Sequence, residues 1–245
     1  MKPPVPIVTI AGRKGGTGKT ALCLGLAAHY FRADQRRVLV VDLDPQGSAS
    51  LALGAEANGE NLAAVLNGAA APEPAAIACG LLLAGGPALA SVADPRPLRE
   101  ALAELLDGVD IVLVDCPPGH PTLDRLAMEA VGRAGVVLVA SEPHKLALAG
   151  VARVLDEAKN MRPMPQCAVV LGRMDERRGL DRAAPELLAG AFAAEVFSIR
   201  QDTALAAALN AGDLPPANGR AAADLRAVAE WVNRKSVQWV WKPKP

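Results

Sequence analysis

Aromatic residues are scarce in this chain, and its acidic and basic residues cancel. Only 3% of the 245 residues are Phe, Trp or Tyr, so a core must be built from Ala, Val and Leu, within a hydrophobic content of 51%. The formal net charge is zero, from 26 Lys and Arg against 26 Asp and Glu. That balance argues against a protein whose whole surface binds nucleic acid, although a local basic patch stays open.

Cysteine and histidine are also few, and they are scattered. The four cysteines contain no Cys-x-x-Cys pair, and the three histidines lack metal-ligand spacing. We therefore expect buried, free thiols in a reducing cytosol, and no metal centre built from these residues. No secretory signal is visible at residues 1–6. The uncharged stretch 74–93 is interrupted by glycine and proline, which favours a buried strand at 81–84 over a membrane helix.

A glycine-rich segment at residues 14–20 carries the clearest chemistry. It reads Lys-Gly-Gly-Thr-Gly-Lys-Thr and follows an apolar run that predicts a strand. Glycines let backbone N–H groups approach a polyphosphate, Lys19 suits the β- and γ-phosphates, and the Thr20 hydroxyl suits Mg²⁺. A helix that starts near Lys19 would direct its positive end at the phosphates. The predicted nucleotide-binding residues are Lys14, Gly15, Gly16, Thr17, Gly18, Lys19, Thr20 and Ala21.

Acidic turns follow two further strand-like runs. Asp42 and Asp44 lie at the end of the run 37–41, and Asp115 follows the run 111–114. Because the carboxyl ends of parallel strands share one edge of a sheet, we expect all three carboxylates beside the glycine-rich loop. Carboxylates there hold Mg²⁺, usually through its waters, and orient the attacking water.

Strand and helix patterns alternate along the chain, which predicts an α/β fold: a doubly wound, mostly parallel sheet with helices on both faces. We predict seven strands, a single domain over 1–235 and a C-terminal tail over 236–245. Residues 55–74 are alanine-rich, and we interpret them as a surface crossover rather than a nucleotide-sensing segment.

Three segments together resemble the ParA/MinD family of deviant phosphate-loop ATPases, which partition or position cargo. They are Lys14–Thr20, VLVVDLDPQGSAS at 38–50 and IVLVDCPP at 111–118. Weaker likeness continues through 136–155 and 195–232, so the resemblance spans nearly the whole chain. The phosphate loop begins almost at once, so the chain looks most like ParA-like proteins without an N-terminal helix-turn-helix. Arg13 stands where the strict phosphate-loop pattern has glycine.

The resemblance implies ATP and Mg²⁺ as cofactors and a role for each matching residue. Lys19 looks like the phosphate-loop lysine, and Lys14 like the signature lysine that reaches the partner subunit's nucleotide. Thr20, Asp42 and Asp115 look like the metal-side residues, and Asp44 like the carboxylate that positions the hydrolytic water. The catalytic set is thus Asp44, Lys14 and Lys19. A homodimer should form around ATP and loosen on hydrolysis, stimulated by a ParB-like or cargo-adaptor protein.

The molecule or surface on which such a switch acts is less clearly indicated by the sequence than its nucleotide. Arg200 and Arg220 resemble the family's DNA-contacting arginines, and residues 220–245 carry six positive and two negative charges. We therefore expect non-specific DNA binding and a cytoplasmic, nucleoid-associated protein. The alternatives are a MinD-like membrane role through the Trp-rich tail, which we regard as unlikely, and a slow nucleotide-binding scaffold. Gly172-Arg173 departs from the family's adenine-contacting residues, so ATP over GTP rests on the resemblance as a whole.

Overall fold

Short runs of Val, Leu and Ile form a central sheet in the computed structural model, which describes residues 4–143 and 145–236. Within those ranges the sheet has eight strands in the order β3-β4-β2-β5-β1-β6-β7-β8, and every neighbouring pair is parallel except β3 with β4. The strands are β1 (Ile7–Ala11), β2 (Val38–Asp42), β3 (Ala75–Ile77), β4 (Gly80–Leu83), β5 (Ile111–Asp115), β6 (Val136–Ser141), β7 (Gln166–Met174) and β8 (Glu195–Arg200).

Helices connect these strands and cover both faces of the sheet. They are α1 (Lys19–Arg32), α2 (Ser48–Ala52), α3 (Glu60–Leu66), α4 (Leu98–Ala101), α5 (Ala103–Leu106), α6 (Pro121–Val131), α7 (Lys145–Asn160), α8 (Gly179–Phe192), α9 (Thr203–Ala211) and α10 (Arg220–Lys235), with a 3-10 turn at Pro87–Ser91. This is the doubly wound, mostly parallel architecture that the alternating pattern predicts.

The core has two layers because successive side chains of a strand point to opposite faces. Val38 and Val40 pack with α1 and α10, whereas Leu39 and Val41 pack with α3, α4 and α6. A third cluster joins β6 and β7 to α7 and α8. Trp231 is buried in the first layer, with its ring 6.0 Å from that of Phe197, so this tryptophan is a core residue.

The seven predicted strands are all present, and the differences lie in short elements. The antiparallel edge strand β3 has three residues and α2 has five, so each spans fewer than two periods of its pattern and gives only a weak sequence signal. The sequence pattern over 97–106 predicts one helix, whereas the structure has two short helices there, α4 and α5, with Leu102 between them outside helical geometry. As expected, Cys23, Cys79 and Cys116 are free and buried, while Cys167 is half-buried.

The C-terminal segment begins where α10 ends. Ser236 is buried there, and its hydroxyl donates to the Val232 carbonyl at 2.5 Å. Residues 237–245, which include Trp239 and Trp241, lie outside the described residues, so the division into 1–235 and 236–245 stays a prediction. Among the helices that the structure describes, none has the length and apolar character needed to cross a bilayer.

Candidate nucleotide-binding site

The order of the central strands brings the predicted site residues to one edge of the sheet. Strands β2, β5, β1 and β6 are neighbours, and the loop 12–18 and the acidic turns leave from the carboxyl ends of the first three. Asp42 and Asp115 are direct register partners, and Asp115 also pairs with Ile10. The structure therefore places the glycine-rich loop beside the turn that carries Asp115, and the turn that carries Asp42 and Asp44 follows one strand further along the same edge.

Glycine is required at the point where the loop enters α1. Gly18 has φ +85° and caps the helix that starts at Lys19, and Gly16 has φ +79°. Both values lie in the left-handed region that side chains with a Cβ rarely adopt. Because α1 begins at this turn, its first backbone N–H groups face the loop, which is an arrangement that favours anions.

The two lysines of the loop have different surroundings. Lys19 is 6% exposed, and its Nζ donates to the Lys14 carbonyl oxygen at 3.1 Å, folding the side chain back over the loop. The side chain of Lys14 is 62% exposed, and its Nζ lies 3.8 Å from Oε2 of Glu142, just past β6. Lys19 is thus built into its own loop, whereas Lys14 extends from it.

Thr20 and Asp115 form a direct contact at the metal-side position. The Thr20 hydroxyl donates to Asp115 Oδ2 at 2.7 Å. The other carboxylate oxygen, Oδ1, is buried and has no hydrogen-bond partner among the described residues. Burial, followed by the nearby negative charge of Asp42, raises the pKa of Asp115 well above its usual range. A cation beside this carboxylate would therefore relieve an unfavourable buried charge.

Asp42 has a different set of partners. Its Oδ2 accepts from the amide and the hydroxyl of Ser50 at 2.9 and 2.7 Å, and its Oδ1 accepts from the Asp44 amide at 3.0 Å. The Ser50 hydroxyl oxygen in turn accepts from the Gly85 amide at 2.9 Å. The fully buried Asp42 thus fixes the turn that carries Asp44 and the start of α2. Its predicted role at the metal stays a prediction.

Asp44 is buried but differently arranged. Its Oδ1 accepts from the Gln46 amide at 2.9 Å, closing a local turn, and its backbone carbonyl accepts from the amides of Gly47 and Gly86. The side chain therefore sits on a backbone that three hydrogen-bonded segments hold in place. A carboxylate fixed in this way is suited to orienting a water molecule.

Comparison with known proteins places this geometry in a family. A family model described as an AAA domain matches residues 5–166. The chain is 30% identical to the chromosome partitioning protein ParA of Myxococcus xanthus over 212 residues, which cover 79% of this chain and 74% of that protein. The chain belongs to the ParA/MinD family of deviant phosphate-loop ATPases.

Other proteins of the ParA/MinD family also match this chain in sequence or in structure. The chromosome-partitioning ATPase Soj of Thermus thermophilus is 34% identical over 168 residues, covering 63% of this chain but only 62% of Soj. The cell division ATPase MinD of Pyrococcus furiosus superposes with a TM-score of 0.78 at 26% identity, over 94% of this chain and 98% of that one. A MinD of Pyrococcus horikoshii complexed with Mg-ADP has a TM-score of 0.77 at 24% identity, over 94% and 96%.

A cavity beside the phosphate loop of this ParA/MinD-family chain could not be located from the sequence. A cavity of about 520 Å³ lies next to Thr17, Gly18 and Ala21 and extends along the carboxyl ends of β7 and β8. Its polar lining includes Arg173, Arg200, Gln201, Asp202, Thr203 and Asn210. The one sequence signal for this cavity is the place of its polar residues directly after strands β7 and β8, because the carboxyl ends of these strands lie at the same sheet edge as the phosphate loop.

The two arginines predicted to contact DNA have different environments. Arg200 lines this cavity, and its guanidinium forms a bidentate pair with Asp224 on α10, through Nη2 at 2.7 Å and Nε at 2.9 Å. Its charge is therefore largely compensated within the chain. Arg220 is exposed at the start of α10. DNA contact by either arginine stays a prediction, and the structure favours Arg220 as the more available cation.

Proposed function

We propose that this chain is an ATP-dependent switch that dimerises around bound nucleotide and partitions or positions DNA or a large cargo. The observation that carries the proposal is the different exposure of the two lysines of the loop: Lys19 is buried within its own loop, whereas the side chain of Lys14 is exposed. A lysine that reaches a second subunit's nucleotide gains binding energy only in the dimer. ATP binding and dimerisation then share one coupling free energy.

The residues present fit Mg²⁺ and a nucleoside triphosphate. Oxygen donors suit Mg²⁺, which keeps several waters and takes one or two carboxylates together with phosphate oxygens. Thr20 and the unsatisfied Oδ1 of Asp115 would supply such donors, with Asp42 supporting the same edge. Among the described residues there is no group of three or more His, Cys, Asp or Glu side chains arranged to hold a metal. When bound, the ion neutralises charge on the phosphates during phosphoryl transfer.

The remaining groups have roles that follow from their placement. Lys19 would contact the phosphates of its own site. The fixed carboxylate of Asp44 would orient the attacking water and accept its proton. The 520 Å³ cavity beside the loop is large enough to hold a nucleobase and ribose. Gln201 lines it, whereas Arg173 pairs with Glu142 and the Asp202 carboxylate caps α9, so these two would have to share their partners with a base. We propose ATP as the nucleotide because related proteins, among them Soj of Thermus thermophilus and MinD of Pyrococcus furiosus, are named as ATPases.

DNA is the client that the described surface favours. The exposed face of α10 presents the cations Arg220, Arg226, Arg234 and Lys235 against one exposed carboxylate, Glu230. One such face would bind weakly, on the order of 10⁻⁴–10⁻⁶ M, as non-specific phosphate contacts do. Two faces in a dimer bind with avidity, so the ATP state would control how long the protein resides on DNA.

Sedimentation of three variants tests the switch. With ATP, Asp44→Ala should bind nucleotide and accumulate as dimer, because hydrolysis no longer releases the partner. Lys14→Ala should bind nucleotide but stay monomeric, and Lys19→Ala should lose nucleotide binding. Fluorescent-nucleotide titration measures the binding, and phosphate release measures turnover.

Two outcomes would contradict the proposal. If Asp44→Ala sediments only as monomer at saturating ATP, the chain is not a nucleotide-gated dimer. If the wild type dimerises but neither DNA nor any partner brings measurable turnover, the chain is a nucleotide-binding scaffold and does not cycle.

A further inference from the structure

Arg13 occupies the position where the strict phosphate-loop pattern has glycine, and its side chain bridges two helices. Nη1 lies 3.2 Å from Asp124 Oδ2 on α6, and Nη2 forms an ion pair with Glu157 Oε1 on α7. The Arg13 side chain is 21% exposed. One guanidinium therefore connects the start of the loop to residues 111 and 144 positions further along the chain.

Two glycines allow the segments that carry the partners of Arg13 to approach it closely. A Cβ at Gly119, in the turn before α6, would lie 3.5 Å from the Arg13 carbonyl oxygen. Gly150 lies on α7, and a Cβ added to it would be 3.7 Å from the Arg13 Cβ. Gly150 and Glu157 are seven residues apart, so they share a side of the helix. Arg13 thus packs its stem on α7 and pairs its head with the same helix.

Burial makes this bridge costly to break. Asp124 is 4% exposed, and its second oxygen, Oδ1, has no hydrogen-bond partner among the described residues, as is true of Arg13 Nε. An arginine cannot shed its charge at physiological pH, and removing one member of a buried pair leaves the other uncompensated. Alternative directions for residue 13 are therefore disfavoured.

The next residue in the chain is Lys14, and its backbone is held inside the loop. Its carbonyl oxygen accepts from Lys19 Nζ at 3.1 Å and from the Thr17 hydroxyl at 3.3 Å, so the loop closes on the peptide between Lys14 and Gly15, one residue after Arg13. Its own side chain is 62% exposed, with a 3.8 Å contact to Glu142. The backbone of Lys14 is therefore fixed, while its ammonium group extends outward.

We propose that Arg13 is a positioning residue: its bridge to Asp124 and Glu157 sets the direction in which Lys14 leaves the loop toward a second copy of the chain. This inference rests on the proposed function, since Lys14 acts across a dimer only if the dimer forms. It differs from a purely structural role for Arg13, which would support the fold and nucleotide binding equally.

Arg13→Gln tests the inference, because it keeps most of the length of the side chain and removes the bridge. In an Asp44→Ala background with ATP, the dimer dissociation constant should rise by about 3-fold to 30-fold, the range of a modulating contact. The nucleotide dissociation constant of the monomer should stay unchanged. Arg13→Lys, which keeps the charge for Asp124, should recover part of the dimer affinity.

A second variant and a control separate the proposed effect from a general loss of folding. Glu157→Gln removes only the half-exposed anchor and leaves the buried pair intact, so it should weaken the dimer by a smaller factor at an unchanged melting temperature. Arg125→Gln removes a neighbouring arginine of α6 whose side chain is 72% exposed and whose Nε lies 3.7 Å from Glu129. It should leave both constants unchanged.

Three results would overturn the inference. Arg13→Gln and Glu157→Gln dimerising like their parent would show that the bridge does not orient Lys14. A parallel loss of nucleotide binding and dimerisation in Glu157→Gln would assign the bridge a structural role only. If the Asp44→Ala parent itself does not dimerise, the proposed function fails together with the inference, and that case is recognised before any Arg13 variant is made.

Discussion

The buried carboxylate of Asp124 makes a pH-dependent contribution to stability that can be measured. Burial raises its pKa from 3.8 to about 6, although Arg13 and Lys19 lower that pKa and Glu157 adds to the rise. In the unfolded chain the same carboxyl is exposed to water and has an ordinary pKa. Between pH 4 and pH 6 the folded protein therefore binds more protons at this site than the unfolded chain does.

The sign and size of the effect follow from linkage. Because the folded state holds the proton more tightly, the contribution of Asp124 to the free energy of unfolding falls as the pH rises through this window. The full loss is about 3 kcal/mol, at roughly 1.4 kcal/mol for each unit of pKa difference. About 1 kcal/mol of it falls between pH 5 and pH 7.

Urea unfolding of the wild type and Asp124→Asn at pH 5 and pH 7 measures this loss. The variant cannot ionise at this position, so its free energy of unfolding should gain about 1 kcal/mol relative to the wild type over that interval. Asp156→Asn is the control, since Asp156 is exposed on α7 with a 3.4 Å contact to Lys159. Its difference from the wild type should change by no more than a few tenths of a kcal/mol.

A difference that stays constant between pH 5 and pH 7 would refute the reasoning, because the Asp124 carboxyl would then be ionised in the folded protein at both pH values, with a pKa that is ordinary or lowered by Arg13. The same comparison between pH 4 and pH 2 separates these two cases. With a lowered pKa the wild type loses stability relative to Asp124→Asn as the pH falls through that range, because the folded state then binds fewer protons than the unfolded chain.

Two further predictions concern the glycine behind Asp42 and the basic face of α10. Gly85→Ala should cost about 1–3 kcal/mol of unfolding free energy, because the new Cβ would lie 2.6 Å from the Asp42 carbonyl oxygen. Gly190→Ala on α8 is the control, and it should be neutral or stabilising because its Cβ would meet nothing within 4 Å. Equal effects of the two substitutions would contradict this packing. Arg220→Glu should weaken DNA binding in a shift assay at stated salt, reduce the salt dependence and leave ATP-dependent dimerisation intact. Unchanged DNA affinity would move the interface away from α10.

The fold was predictable because its signals are local. The central strands are apolar runs, and three of them end in or directly before a glycine or an aspartate: β1 before Gly12, β2 at Asp42 and β5 at Asp115. The edge strand β3 was not predictable, since Ala75–Ile77 is three residues of weak pattern whose pairing with β4 arises from the turn between them. Helix α2 likewise depends on Gly47 at φ +63° and on the Asp42–Ser50 contact.

The site was predictable in its residues but less so in their partners. The loop and the acidic turns are contiguous motifs, and parallel strand order alone brings them together. The bridge from Arg13 to Asp124 and Glu157, by contrast, joins residues more than 100 positions apart. The pair between Arg200 and Asp224 had no motif either, and it changes the availability of an arginine that the sequence assigned to DNA. Motifs identify which groups are present, whereas side-chain partners depend on packing.

The contrast between the two lysines bears on what controls the proposed switch. The contact of Lys14 with Glu142 spans 3.8 Å, the Lys14 side chain is largely exposed, and Glu142 also pairs with Arg173 at 3.3 Å. A long contact of this kind contributes roughly 0–1 kcal/mol. A coupling between two binding events is typically about 1–3 kcal/mol, so this contact is too weak to hold the lysine against a partner's phosphates. The direction of Lys14, set by the buried bridge behind it, would then matter more for dimerisation than any restraint on its tip. Glu142→Gln should accordingly change the dimer affinity less than Arg13→Gln does.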